Sequence, residues 1–328
     1  MTDHTQILWL TPDKPENISV GRSRLADHLR EHGYGVTLRG TTPETLVRSL
    51  WERRAYDAVI GTTRAGAIGG VLVSSVHQIP LIVDHVDPIS QFRDTHPDWL
   101  AKLVKYMENV AFTRSAVSLF VYEAERKRVQ KHAPVARKTA LGVDYDRFSE
   151  PTEDVLAAGR EHLPADLERP ITVYIGGLES LYNVEAMLQA GSELGTGSLV
   201  IAGTGSLETT VRRAAAQTDR IHYIGTIPHE TVPGVLAGCD VGLSLVDDPN
   251  TLKVLEYGAA GLPVVQLDGR ARDRFGDRLT YTSVDPSSIQ EAIRIASSRD
   301  ENTLQSFVSK FDWGEIADTY ADTIEQSC

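Results

Sequence analysis

Apolar runs of strand length alternate with amphipathic stretches along the whole chain. ILWLT opens the series and is followed, past a polar loop, by a helical pattern from Val20 to His32 that Gly33 stops. YGVTLRG then reads as a strand, TPETLVRSLWERR as a helix opened by Thr42, Pro43 and Glu44, and YDAVIGT as a third strand. The rhythm continues through a helix near Gly66–His77, the strand PLIVDHVD, a long helix over roughly Trp99–Phe112 and the strand AVSLFVY. Strands that are apolar throughout, each followed by a helix, predict a parallel sheet covered on both faces.

A second series begins at PITVYIGG, after the polar stretch Glu150–Arg169. Helix Val184–Glu193, strand SLVIAG, helix Glu208–Gln217, strand IHYIG, a helix near Thr231–Ala237, strand VGLSLV, helix Leu252–Ala260 and strand PVVQL follow. This alternation predicts a second doubly wound domain. A length of 328 residues with 41% hydrophobic content suits two such domains. The expected organisation is an N-terminal Rossmann-like domain over 1–150, a linker over 151–169, a C-terminal Rossmann-like domain over 170–310, and a final segment over 311–328.

Charge separates the two parts. Residues 1–150 carry 20 Lys+Arg against 18 Asp+Glu, whereas the remainder carries 13 against 27, giving the net charge of -12. No continuous basic stripe with interleaved aromatics is present, so nucleic acid is not expected as a partner. Cys239 and Cys328 provide neither a disulfide framework nor the paired spacing of a zinc site, and a reducing compartment is the simpler reading. The first apolar run has no basic flank, and no run of about 18 apolar residues occurs. The expectation is a cytoplasmic protein.

From Pro170 to Leu267 the blocks YIGGL, VIAGTGSLETTVRRAA, IHYIGTIPHETVPGVLAGCDVGLSL and DDPNTLKVLEYGAAGLPVV occur in order. Together they resemble the donor-binding domain of family 4-like glycosyltransferases, the glycosyl transferases group 1. The resemblance implies the GT-B fold, an α/β architecture of two Rossmann-like doubly wound domains facing a cleft. It also implies transfer of a sugar from a nucleoside-diphosphate sugar. In the signature block an acidic residue precedes a glutamate by eight positions, here Asp248 and Glu256.

A nucleotide sugar presents ribose hydroxyls, a diphosphate and sugar hydroxyls; carboxylates suit hydroxyls, while backbone amides and cations suit phosphates. By resemblance Glu256 grips the ribose and Asp248 meets the donor sugar, although Asp248 is one methylene shorter than the usual glutamate and Asp247 could serve instead. The helix opened by Leu252 should start near the diphosphate, where its amides and dipole favour an anion and Lys253 adds a full charge. Gly176 and Gly177 form the first glycine loop. Relatives carry cations in and after that loop, but no basic residue lies between Arg169 and Arg212. Gly203 and Gly205 lack the third glycine of a dinucleotide fingerprint; by resemblance their loop lies near the nucleobase and ribose, and a tight turn is an equal reading.

The N-terminal half resembles the family more loosely. ENISVGRSRLADHLREHGYGV is similar to its opening loop and helix, where Gly21 would let backbone amides approach the donor phosphates, and Arg22 or Arg24 would supply the missing cation. IPLIVDHVDPI is similar to the segment whose strand ends in a histidine, making His85 the candidate contact to the transferred sugar. Asp84 and Asp87 flank it, but no metal site and no cofactor are expected, since GT-B enzymes generally work without a bound cation. LGVDYDRF resembles the segment closing the N-domain, with Leu141 in place of the usual asparagine. FDWGEIADTYADTIEQ resembles the last helix, which crosses back to the N-domain.

The function implied is retaining transfer to a glycan, lipid-linked or small-molecule acceptor. Arg126, Lys127, Arg128, Lys131, Arg137 and Lys138 offer a basic surface for peripheral contact with an anionic membrane. The alternatives are a nucleotide-sugar epimerase on the same fold, or a non-catalytic nucleotide-sugar-binding protein.

Overall fold

The computed structural model describes residues 4–12, 18–52, 55–299 and 302–328. Residues 13–17, in the opening loop read from the sequence, lie outside them. The chain forms two units, one of Met1–Gly142 with Trp313–Cys328 and one of Val143–Asp312.

The first unit holds strands β1 (Gln6–Thr11), β2 (Gly35–Gly40), β3 (Ala58–Thr62), β4 (Leu81–His85), β5 (Val117–Phe120) and β6 (Ala136–Lys138). All pair in parallel in the order β2-β1-β3-β4-β5-β6. Residue alternation sends β1 into two cores. Ile7 and Trp9 pack with Leu25, Leu29, Ile316 and Tyr320, under helices Val20–Glu31 and Trp313–Glu325. Leu8 and Leu10 pack with Ala67, Val73 and Phe112, under helices Thr63–His77 and Asp98–Arg114. A strand buried on both sides must be apolar at odd and even positions alike, which is why ILWL has no polar residue.

The helices Val20–Glu31 and Trp313–Glu325 approach closely at Gly21, where a Cβ would stand 2.8 Å from Trp313 Cζ2. The glycine is therefore needed for helix packing. Gly21→Ala is expected to destabilise by about 1–3 kcal/mol through overpacking. A urea titration should show this as a lower midpoint for the first unit at unchanged slope.

In the second unit, strands β7 (Ile171–Ile175), β8 (Ser198–Ala202), β9 (Ile221–Tyr223), β10 (Val241–Ser244), β11 (Val264–Leu267) and β12 (Thr280–Thr282) are also parallel, in the order β12-β11-β10-β7-β8-β9. This is the dinucleotide-fold order, with its reversal between β7 and β10. Val173 faces a core with Val254 and Leu255, while Tyr174 faces one with Met187 and Leu243.

Two expectations change. The stretch Glu150–Arg169 is not a bare linker: it carries helix Glu153–His162, packed against helix Val232–Leu236. The contact is made by small residues, Gly159 against the backbone of Gly234, so the segment needs few large apolar side chains and reads as polar. The second unit accordingly starts at Val143 rather than after residue 150. The edge strands β6 and β12 have three residues each, too short to show a period. Among the described residues, no helix is long and apolar enough to cross a membrane.

Candidate functional site

In an open parallel sheet, ligands bind beyond the carboxyl ends of the strands where the strand order reverses. In the second unit this point lies after β7 and β10. Gly176 and Gly177 follow β7, Asp247 and Asp248 follow β10, and helix Leu252–Ala259 starts shortly after. Asp248 Oδ1 accepts from the Asn250 amide at 2.9 Å, which turns the chain toward buried Thr251 and the helix start. Leu252 is exposed on that first turn.

Lys253 does not extend into solvent. Its stem lies against Gly176, where any Cβ would strike Lys253 Cε. Its Nζ sits 4.4 Å from the Tyr182 ring centroid and 5.4 Å from that of Tyr174. Tyr174 is fixed in turn by donating to the Gly177 carbonyl at 2.6 Å. The cation absent from the first glycine loop is thus delivered to it from a helix about 75 residues later in the chain. Burial pushes the Lys253 pKa down, while Glu256 and Asp248 pull it up. One cation and two carboxylates therefore interact at the strand ends.

Glu256 is half-buried one turn further along, and its Oε1 lies 3.2 Å from His229 Nε2. His229 is steadied by Phe148, with ring centroids 6.1 Å apart, and by Arg147, whose Nη2 donates to the His229 carbonyl at 3.0 Å. Tyr257 fixes the helix against the sheet by accepting from the Ile175 amide at 2.9 Å.

The two glycine loops form one packed layer. The Gly176 amide donates to the Ala202 carbonyl at 3.0 Å and the Leu178 amide to Thr204 at 2.9 Å. Gly203 has φ +134°, and a Cβ there would collide with the Gly176 carbonyl oxygen. A Cβ at Gly205 would meet the Leu178 carbonyl at 2.5 Å. These glycines make the close approach of the loops feasible. Asp247 is committed elsewhere: its Oδ1 accepts from the Arg270 amide at 2.8 Å and its Oδ2 pairs with Arg270 Nε at 3.1 Å. Of the two neighbouring aspartates, this engagement leaves Asp248 as the one that interacts with Lys253.

In the first unit the candidates sit among buried charges. Arg22 is turned inward, its Nε 3.0 Å from Asp84 Oδ2. Asp84 also accepts from Thr62 Oγ1 at 2.8 Å and from the Tyr320 hydroxyl at 2.6 Å. Arg24 is half-buried on the same helix. His85 is buried against Phe112, with Nε2 3.1 Å from Glu125 Oε2 and Nδ1 4.0 Å from Glu108 Oε1. Arg128 bridges those two glutamates, at 2.7 Å to Glu125 and 2.5 Å to Glu108. Burial raises the Glu125 pKa, but His85 and Arg128 outweigh it and hold the carboxyl at about 2. As described, the His85 ring belongs to an interior ionic network. Among the described residues, no group of three or more His, Cys, Asp or Glu side chains is placed to hold a metal ion.

Sequence reasoning missed His229, Tyr182 and Tyr174. The His229–Glu256 pair joins separate elements, and no periodicity links them. For Tyr182 a signal existed: an aromatic in a glycine-rich segment that lacks cations is a natural seat for a cation brought from elsewhere.

Two units of this topology, each built on a six-stranded parallel sheet, give the two-domain α/β fold found in GT-B glycosyltransferase structures. The family model "Glycosyl transferases group 1" matches residues 169–297. Over that segment the chain is similar to the group 1 glycosyltransferases. It is 25% identical over 267 residues to the alpha-D-kanosaminyltransferase of Streptomyces kanamyceticus, covering 71% of this chain and 68% of the relative. Among solved structures it is similar to sucrose-phosphate synthase from Thermosynechococcus elongatus, with TM-score 0.77, 15% identity, and coverage of 98% and 99% of the two chains. Anabaena HepE in complex with UDP and glucose is similar at TM-score 0.76 and 14% identity, covering 98% of this chain and 100% of that one.

Proposed function

We propose that this chain moves a sugar, with retention, from a nucleoside-diphosphate sugar held on its second unit to a glycan, lipid-linked or small-molecule acceptor. The observation that carries the reading is Lys253 seated over Tyr182 at the first glycine loop, with Glu256 on the same helix and Asp248 just before it. The cation suits a diphosphate, Glu256 a ribose diol and Asp248 a sugar hydroxyl. HepE, similar in fold, is a complex with UDP and glucose, which supports the donor class. Retention rests on the family resemblance alone. Independence from metal is part of the proposal, with Lys253 and the loop amides taking the charge that develops on the departing diphosphate.

Calorimetric titration with a panel of nucleotide sugars tests the donor site. Glu256→Ala should raise the Kd of the preferred donor by about tenfold to a hundredfold, the loss of hydrogen bonds from one charged acceptor. A chelator should leave the affinity unchanged. Equal binding by the variant and the parent would refute the assignment. Transfer assays with the same panel, the product anomer read by NMR, separate a transferase from an epimerase, which forms product without an acceptor, and from a binding protein, which forms none.

A further inference from the structure

The first unit carries an apolar face that its own core does not use. Helix Asp98–Arg114 buries Ala101, Ala111 and Phe112 inward and leaves Trp99, Leu103, Tyr106, Met107 and Val110 exposed. Steps of three and four place Trp99, Leu103, Tyr106 and Val110 on one stripe along the outer side. The helix beside it, Thr63–His77, exposes Leu72 and Val76, and the next, Pro43–Trp51, exposes Val47 and Trp51. Nine of the fifteen exposed large apolar side chains among the described residues lie on these three adjacent helices. Scattered apolar residues are ordinary at a surface; a layer of this extent marks an interaction site.

Charge and residue type identify the partner. In a chain of net charge -12, this face is locally basic. Lys102 and Arg114 are exposed and Lys105 half-exposed on helix Asp98–Arg114, where Glu108 is buried against Arg128 and Asp98 is the other acid. Helix Thr63–His77 has no acidic residue. On the third helix Glu44 is the one acid, and Arg48 pairs with Glu52 just beyond the helix, which Arg39 also neutralises. Trp51, Trp99 and Tyr106 are 82%, 68% and 67% exposed, and amphipathic aromatics flanked by lysines are the residues that favour the headgroup zone of a bilayer. We propose that this face docks the protein peripherally on an anionic phospholipid bilayer, the aromatic and aliphatic side chains entering the headgroup boundary and Lys102 and Lys105 meeting lipid phosphates.

This surface differs from the basic stretch that the sequence suggested. There Arg128 is consumed by Glu108 and Glu125, while Arg126 and Lys138 pair with Glu123. The inference concerns binding to lipid and stands or falls apart from sugar transfer.

The test is co-sedimentation of the full chain with vesicles of phosphatidylcholine alone or mixed with phosphatidylglycerol, at rising salt. Association with the mixed vesicles that weakens with salt is expected. Leu103→Glu with Tyr106→Glu should weaken it by about tenfold or more, since two apolar contacts are replaced by like charges to the lipid. Lys102→Glu with Lys105→Glu, which leaves the apolar stripe intact, should remove the preference for anionic vesicles. Trp9 and Trp313 are buried, so a lipid-induced blue shift of tryptophan emission reports Trp51 and Trp99. The proposal is overturned if low-salt anionic vesicles do not retain the protein, or if both variants bind like the parent. It is equally overturned if sedimentation velocity shows a dimer that the Leu103→Glu, Tyr106→Glu variant abolishes and vesicles show nothing, which would assign the face to a second copy.

Discussion

Lys253→Met is expected to lower the transfer rate by about a hundredfold to a thousandfold, the range for removing one preorganised charge from a site where an anion develops. Methionine keeps the length of the stem packed against Gly176 and removes the cation seated 4.4 Å from the Tyr182 centroid. The described segment from the first glycine loop onward has no basic side chain before Arg212. The departing diphosphate would then be left with backbone amides and the helix dipole. A pH profile adds a second readout. Burial lowers the Lys253 pKa, with Glu256 and Asp248 opposing, so the lysine loses its proton at lower pH than the ordinary 10.5. In the proposed role the cation is the active form; kcat/KM should therefore fall as pH rises through that lowered pKa, and Lys253→Met should lack this alkaline limb. A variant with the parent's rate and the parent's alkaline limb would exclude Lys253 from the reaction.

Asp84→Ala should destabilise the first unit by about 3–5 kcal/mol, because it removes the buried carboxylate that pairs with the Arg22 guanidinium. The same change removes the acceptor for Tyr320 and Thr62, which come from a different helix and a different strand. Trp9 stacks on Tyr320 with ring centroids 5.5 Å apart and donates to Thr62 at 2.8 Å, so its fluorescence follows this region in a urea titration. Arg22→Met combined with Asp84→Ala should cost clearly less than the sum of the two single changes, since the pairing between them is lost only once. Additive costs would show that the two side chains do not depend on each other.

Much of this architecture was legible beforehand. The strands β1, β3, β4, β7, β8 and β10 stand out because a strand buried on both faces must be apolar throughout, and the ordered glycine and acidic blocks led to Glu256, Lys253 and Asp248. Boundaries made by small residues were not legible, as the helix Glu153–His162 shows: Gly159 packs through its lack of a side chain, which leaves no apolar signal.

What the sequence alone determined was which positions alternate between core and surface, and therefore the two parallel sheets, together with the segment that resembles group 1 glycosyltransferases. Tertiary structure decided which charge meets which: that Lys253 fills the cation gap at Gly176, that Arg22 turns toward Asp84, that Arg128 is spent on two glutamates, and that three helices present one apolar face. The reason is that hydrophobic periodicity is a local property, whereas ion pairs and shared faces join elements far apart in the chain, and no local pattern records which distant partner the fold will bring alongside.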